Sequence, residues 1–246
     1  MKSTGNDIVA LDATDPKRTG SARFYSRILA AAEQSIFSQQ AFPGLSFDHF
    51  VWLLWSVKES VYKYEQRILP GGAFAPLKIT VCELLPSCKH EAPPAKDGLP
   101  PLKDEFYKAV VLSGARTLYS RSIIRDGFIA SVVSEDEVFE HTRWGFTSID
   151  HPTYADQSAS VRTLAIGELG ASLSRSNLRI EKNRFGVPVV LDGEEALDIP
   201  LSLAHHGHYI AWSYLLPAIS PLSAASPHST VNSYPAVSTP LPHSFE

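Results

Sequence analysis

The apolar residues Phe47, Phe50, Leu54, Val57 and Val61 recur at steps of three and four. That period belongs to an amphipathic helix with one buried side, and it predicts a helix from Ser46 to Arg67, closed by Pro70-Gly-Gly. A first helix is expected from Arg23 to Gln40, and a third from Val161 to Leu173. Gly5-Asn6-Asp7-Ile8-Val9 reads as a short apolar strand carrying one acid. Leu77 to Leu84 alternates like a strand; Ala109 to Ser113 and Thr117 to Val133 follow, the latter turning at Arg125-Asp126-Gly127. Strand signals resume at Leu178 to Ile180 and Val187 to Leu191. Pro93-Pro94 and Pro100-Pro101 mark Pro86 to Lys103 as an exposed loop. From Pro217 to Glu246 prolines and serines dominate and only the last residue is charged, so this tail is expected to be disordered.

The second helix holds the chemistry. In Trp55-Ser-Val-Lys58-Glu59-Ser-Val-Tyr-Lys63 an acid and a base stand four residues apart, on one helix face with Trp52, Trp55 and Ser56. An i,i+4 ion pair alone is worth only a few tenths of a kcal/mol. A carboxylate and an ammonium flanked by tryptophans resemble a site more than a solvated surface.

Taken with Asp7, which lies 52 positions before Glu59, these residues form a recognisable pairing. GxDIV followed by W-S-x-K-E-S-x-x-K resembles the 4′-phosphopantetheinyl transferases, with the spacing of the holo-acyl-carrier-protein synthase branch. A third match is Ser202-Leu-Ala-His205, similar to the family's S-[LI]-S-H, and a fourth is Asn183-Arg-Phe-Gly186-Val-Pro188, similar to N-x-x-G-K-P. Two residues depart from the pattern: Ala204 stands where the family has serine and Val187 where it has lysine. The resemblance implies that both departures remove a phosphate contact.

The same resemblance implies an α/β (α+β) fold with two similar halves, each an antiparallel sheet packed against helices. The halves would be residues 1–135, with the acidic motifs, and 136–216, with the coenzyme motifs, before the tail at 217–246. Ser122 to Ala130 can be laid on Ser202 to Ala211 with one insertion after the glycine, which suggests such a repeat. A monomeric pseudo-dimer with its halves exchanged in sequence is favoured over a synthase-type trimer. The implied activity is transfer of 4′-phosphopantetheine from coenzyme A to a serine of an apo carrier protein, releasing adenosine 3′,5′-bisphosphate. Asp7 and Glu59 would hold Mg²⁺, Glu59 or a water would take the serine proton, and Lys63 would stabilise the leaving phosphate. Lys58, Lys63, Gly186, Pro188 and His205 would bind coenzyme A. Arg23 and Arg27, preceded by Lys17 and Arg18, would dock an acidic carrier.

Composition leaves this picture unchanged. The chain has 246 residues, 44% hydrophobic and 20% charged, as expected of a globular protein able to bury a core. A net charge of −4 points to neither nucleic acid nor an anionic membrane. Cys82 and Cys88 match no metal or redox spacing and suit a reducing cytoplasm. No apolar run reaches membrane-spanning length, and the N-terminus lacks the apolar core of a signal peptide. Two other classes stay open: a degenerate paralogue that binds coenzyme A without transferring, and an interaction protein whose acids merely cap and pair.

Overall fold

The computed structural model describes residues 2–37, 42, 44–87, 105–125 and 127–217. Strand β1 (Gly5–Ala10) leads into three short helices, α1 (Pro16–Thr19), α2 (Ala22–Tyr25) and α3 (Ala31–Ile36), and then the long helix α4 (Phe47–Ile68). Strands β2 (Ile79–Ser87), β3 (Glu105–Ser113), β4 (Arg116–Arg125), β5 (Phe128–Ser134) and β6 (Thr142–Ser148) follow. After helix α5 (Tyr154–Leu173) come β7 (Leu178–Lys182), β8 (Pro188–Asp192), β9 (Glu195–Leu197), β10 (Leu201–His206) and β11 (Tyr209–Leu215). The fold is mixed α+β, with antiparallel sheets packed against helices.

The Ser46 hydroxyl starts α4 by accepting from the His49 N–H at 3.3 Å. The stripe Phe50, Leu54, Val57 and Val61 is fully buried, as its period requires. It packs on Val9, Val81, Val111, Leu118, Ile129 and Val133 of a sheet ordered β1-β5-β4-β3-β2. A second core lies between α5 (Val161, Ala165, Leu169) and residues of β10 and β11. There the sheet order is β10-β11-β6, beside a small sheet β7-β8-β9.

The two chain paths share a plan. In the first, strand β1 is followed by helix α4 and returns through hairpin β4–β5, with β5 pairing antiparallel to β1. In the second, β6 is followed by α5 and returns through hairpin β10–β11, with β11 pairing antiparallel to β6. The hairpin β2–β3 widens the first sheet, while β7–β9 occupies the corresponding stretch of the second path.

β10 lies along the free edge of β1 and satisfies its backbone through side chains. The Asn6 N–H donates to Ser202 Oγ at 3.1 Å, and the Ala10 N–H to His206 Nδ1 at 3.2 Å. The acceptors alternate along β10, so Ala204, between them, packs on Ile8, Ala130 and Ala211.

Three features differ from expectation. The helix expected from Arg23 is broken into α2 and α3, because residues 28–30 turn inward to bury Ile28 and Leu29. Helix α5 starts at Tyr154, seven residues early, where Thr153 Oγ1 accepts from the Asp156 N–H in a polar first turn that periodicity cannot register. Strand β6 was not expected. Gly145 interrupts its apolar pattern, and the Trp212 ring lies across that glycine where a β-carbon would collide. Most of the loop expected at 86–103, the tail after Pro217, Cys88 and Asp126 lie outside the described residues. No helix among the described residues is long and apolar enough to cross a membrane.

Candidate active site

Gly5 brings β1 onto α4. A β-carbon built there would collide with the Ser60 carbonyl oxygen and the Tyr64 amide, so only glycine lets the strand lie on the helix backbone. Ser60 ties the same helix turn to β5, its hydroxyl donating to the Ser131 carbonyl at 3.2 Å. Ser131 is the cross-strand partner of Asp7. Asp7 is thereby delivered against the exposed end of the Glu59–Lys63 stripe.

The Lys63 ammonium lies 3.0 Å from Asp7 Oδ1 and 3.6 Å from Glu59 Oε1. Asp7 Oδ2 is buried and has no hydrogen-bond partner. Burial and then the Asp7 charge push the Glu59 carboxyl above its ordinary 4.5, against the opposing pull of Lys63 and Trp55. Burial disfavours the charge on Lys63, but Asp7 and then Glu59 outweigh it and hold Lys63 above 10.5. Lys63 is therefore a firmly charged cation between two carboxylates. Trp55 stays beside Glu59, whereas Trp52 turns away and its indole donates to Thr19 Oγ1 at 3.0 Å.

Lys63 and Gln66 of α4 also line a cleft of about 160 Å³ whose other walls come from residues 158–205. Gly186, Val187, Pro188, Ser202, Leu203 and His205 line it, together with Arg162 of α5 and Lys182 of β7. The Asn183 side chain shapes one wall by accepting from the Phe185 and Val187 amides at 2.9 and 3.1 Å. Gly186 takes a φ of +80° in that turn, a conformation glycine adopts without steric cost. Burial, followed by the charges of Lys63, Lys182, His206 and Arg162, keeps the His205 ring below the usual 6.5. The edge of that ring meets Tyr154, with centroids 5.2 Å apart. The cleft is lined by the cations Lys63, Arg162 and Lys182, and Lys63 links it to the carboxylates of Asp7 and Glu59.

Of the residues expected in a site, Asp7, Glu59 and Lys63 come together, and Lys63 meets Gly186, Pro188 and His205 across the cleft. Lys58 does not reach it, and its expected coenzyme contact is corrected. The side chain is fully buried on the opposite side of α4, 2.6 Å from Glu33 Oε2 and 2.7 Å from the Ile28 carbonyl oxygen. In the repeat W-x-x-K-E, Lys58 stands one residue from Glu59, about 100° round the helix, so only one of the two can face the cleft. Ala204 likewise faces β1 and not the cleft, so its departure takes no contact from the pocket. Val187 does line the pocket. Arg23 and Arg27 lie on α2 and the turn that ends it, not on one long helix; both are exposed, as are Lys17 and Arg18.

Arg162 and Lys182 are the cations that sequence reasoning missed. Arg162 follows the core residue Val161, and Lys182 ends a short strand. Neither position stands out before the turn at Asn183 and helix α5 are folded together. Among the described residues no group of three or more His, Cys, Asp or Glu side chains converges.

Residues 3–91 match the family model of the 4′-phosphopantetheinyl transferase superfamily. This matched segment holds β1, the short helices, α4 and β2. Gly186, Pro188 and His205 lie beyond the matched residues. No curated protein and no solved structure matches the chain.

Proposed function

We propose that the chain transfers the 4′-phosphopantetheine of coenzyme A to a serine hydroxyl of an apo carrier protein, leaving adenosine 3′,5′-bisphosphate. The observation that carries this reading is the position of Lys63. It belongs at once to the carboxylate pair of the matched segment and to the basic cleft beside it. A pyrophosphate needs cations along its oxygens and a base for the attacking hydroxyl, and these are arranged in that order.

Coenzyme A would lie with its phosphates among Lys63, His205, Arg162 and Lys182. Gly186 and Pro188 form the wall behind them. Arg162 and Lys182 supply charge on the side where Val187 replaces a lysine. His205, whose ring burial and the neighbouring cations hold below 6.5 in the free protein, would donate a hydrogen bond to the phosphates. Glu59 accepts the proton of the carrier serine; a carboxylate whose pKa is raised is the better base. Lys63, one helical turn on, faces the phosphate that departs and stabilises its charge.

The donor set suits a hard divalent cation. Asp7 offers a buried oxygen with no other partner and Glu59 a second carboxylate, the usual protein contribution to Mg²⁺ when phosphates and waters complete the shell. Bound there, Mg²⁺ would neutralise charge on the phosphoryl oxygens. Asp7 and Glu59 would hold it.

Both sides of the cleft come from one chain, which supports a monomer built as a pseudo-dimer, with halves at 1–135 and 136–216, over a trimer. The exposed Lys17, Arg18, Arg23 and Arg27 give the acidic carrier a surface on the matched domain. Cytoplasmic localisation follows from the carrier and the coenzyme. The test is mass spectrometry of an apo carrier incubated with the protein, coenzyme A and Mg²⁺. A phosphopantetheine mass gain that disappears in Asp7→Ala and Glu59→Ala supports transfer. Coenzyme binding without any gain, over several carriers, would leave a binding paralogue in its place.

A further inference from the structure

The stripe of α4 that begins with Glu59 and Lys63 continues, at the same interval of four, to Arg67. Arg67 does not enter the cleft. Its guanidinium crosses to the second half and donates from Nη1 to the Pro188 carbonyl at 3.2 Å and from Nη2 to the Ile199 carbonyl at 3.0 Å. Pro188 lines the cleft directly after the Asn183 turn, and Ile199 lies just ahead of β10, which carries Ser202 and His205. One side chain from the helix of the carboxylate pair thus grips the backbone leading to both opposing walls.

We infer that Arg67 is a positioning residue that sets the distance between Lys63 and the Gly186–Pro188 and His205 walls. It does so through the fork of its guanidinium. Three features carry the argument. Lys63 and Arg67 are one helical turn apart, so the helix transmits the position of one to the other without slack. Both acceptors are backbone carbonyls, so the grip acts on the main chain of the walls and not on mobile side chains. And only a planar guanidinium offers two diverging donors in fixed geometry; a lysine is a single point charge on a flexible stem. The β1 amides of Asn6 and Ala10 bond side chains of β10, Ser202 Oγ and His206 Nδ1, and so hold that strand without gripping the main chain at Pro188.

The inference rests on the coenzyme A reading of the cleft, and its test separates the two. Calorimetric titration of coenzyme A into the full chain, with Mg²⁺, is compared for the native protein, Arg67→Ala and Arg67→Lys. The expected result is a loss of affinity of about tenfold or more in Arg67→Ala, and a smaller loss in Arg67→Lys. Steady-state assays should show the loss in KM for coenzyme A with KM for the carrier unchanged, a split that general destabilisation would not produce. Hydrogen exchange without ligand should quicken over residues 183–190 in both variants. Unchanged exchange there overturns the strut, whatever coenzyme A does. Should Arg67→Ala not fold, Arg67→Lys and Arg67→Gln carry the test; native-like affinity in both overturns it. No coenzyme A binding by the native chain would instead remove the functional reading, while the exchange result would still decide whether Arg67 ties the walls.

Discussion

Lys63 holds Asp7 by one oxygen only: its ammonium is 3.0 Å from Oδ1, while Oδ2 is buried with nothing to accept from. An unpaired buried carboxylate oxygen costs free energy and is retained where something else is meant to bind it. On the proposed reading, Lys63 and a divalent cation would compete for the same pair of carboxylates, and phosphate would draw Lys63 away. Replacing Lys63 by methionine should tighten Mg²⁺ binding in the absence of coenzyme A by about tenfold, since a unit charge a few ångströms away is removed. The same variant should transfer phosphopantetheine at least about a hundredfold more slowly. Asp7→Asn should lose both properties. Titration of Mg²⁺ by calorimetry beside a transfer assay reads the two effects; weaker Mg²⁺ binding in Lys63→Met would remove the competition argument.

The close approach of Gly5 to α4 gives a stability prediction. A methyl group there meets helix backbone at Ser60 and Tyr64, which cannot rotate away. Gly5→Ala should therefore push β1 off the helix and cost about 3 kcal/mol or more, at the upper end for single substitutions. Urea unfolding measures this, and a cost below about 1 kcal/mol would mean that the strand does not rest on the helix as described.

Lys58 and Glu33 form a fully buried pair that also accepts the Ala30 amide at 2.7 Å and the Val81 amide at 2.8 Å. The Glu33 carboxylate thus joins α3, β2 and α4, and Lys58 supplies its counter-charge. Removing one partner leaves an uncompensated buried charge, so Lys58→Met should destabilise by about 3–5 kcal/mol. Lys58→Met combined with Glu33→Gln should recover part of that loss, because no charge is then stranded. Coenzyme A affinity, measured on the folded protein, should stay as in the native chain. A specific loss of affinity in Lys58→Met would return Lys58 to the phosphate site.

Helix α4 was legible because a 3.6-residue period over some twenty residues averages out local noise, and its cap and stop are chemically distinct. The two carboxylates were legible through motif spacing, since a glycine, an acid and a lysine each have a local job. Arg162, Lys182 and Arg67 were not, because their meaning lies in contacts between segments distant in sequence. Lys58 shows the opposite error. A motif lists residues in a line, but the helix sends neighbours to different faces, and burial with Glu33 took Lys58 away from the face that Glu59 and Lys63 share. The broken first helix has the same origin: a local preference for helix gave way to the burial of Ile28 and Leu29.

His205 offers a pH signature. Its folded pKa is held below 6.5 by burial and by the surrounding cations, so the unfolded chain takes up the proton first. Its contribution to stability is then present above the unfolded value and is lost as pH falls through 6.5 toward the folded value. His205→Gln should flatten that part of the stability curve in urea unfolding between pH 7.5 and 5.5. Phosphates in the cleft would offset Lys63, Lys182 and Arg162 and raise the ring's pKa, so coenzyme A binding should take up protons. Calorimetry at pH 6 in two buffers of different ionisation enthalpy counts them. Proton release attributable to His205 would place the phosphates elsewhere.

Arg27 lies on the opposite side of the functional question, at an exposed turn of the matched domain and not in the cleft lining. An exposed charge facing an acidic partner raises the rate of encounter and does little for contacts already made. Changing Arg27 to Glu should therefore slow carrier modification at low ionic strength and leave coenzyme A affinity as it was. The difference should shrink as salt is raised, because the Debye length falls from about 30 Å at 0.01 M to about 8 Å at 0.15 M. Stopped-flow or quenched assays over that salt range measure it. A rate deficit independent of salt would mean that Arg27 acts through structure, and a fall in coenzyme affinity would move the carrier surface away from this turn.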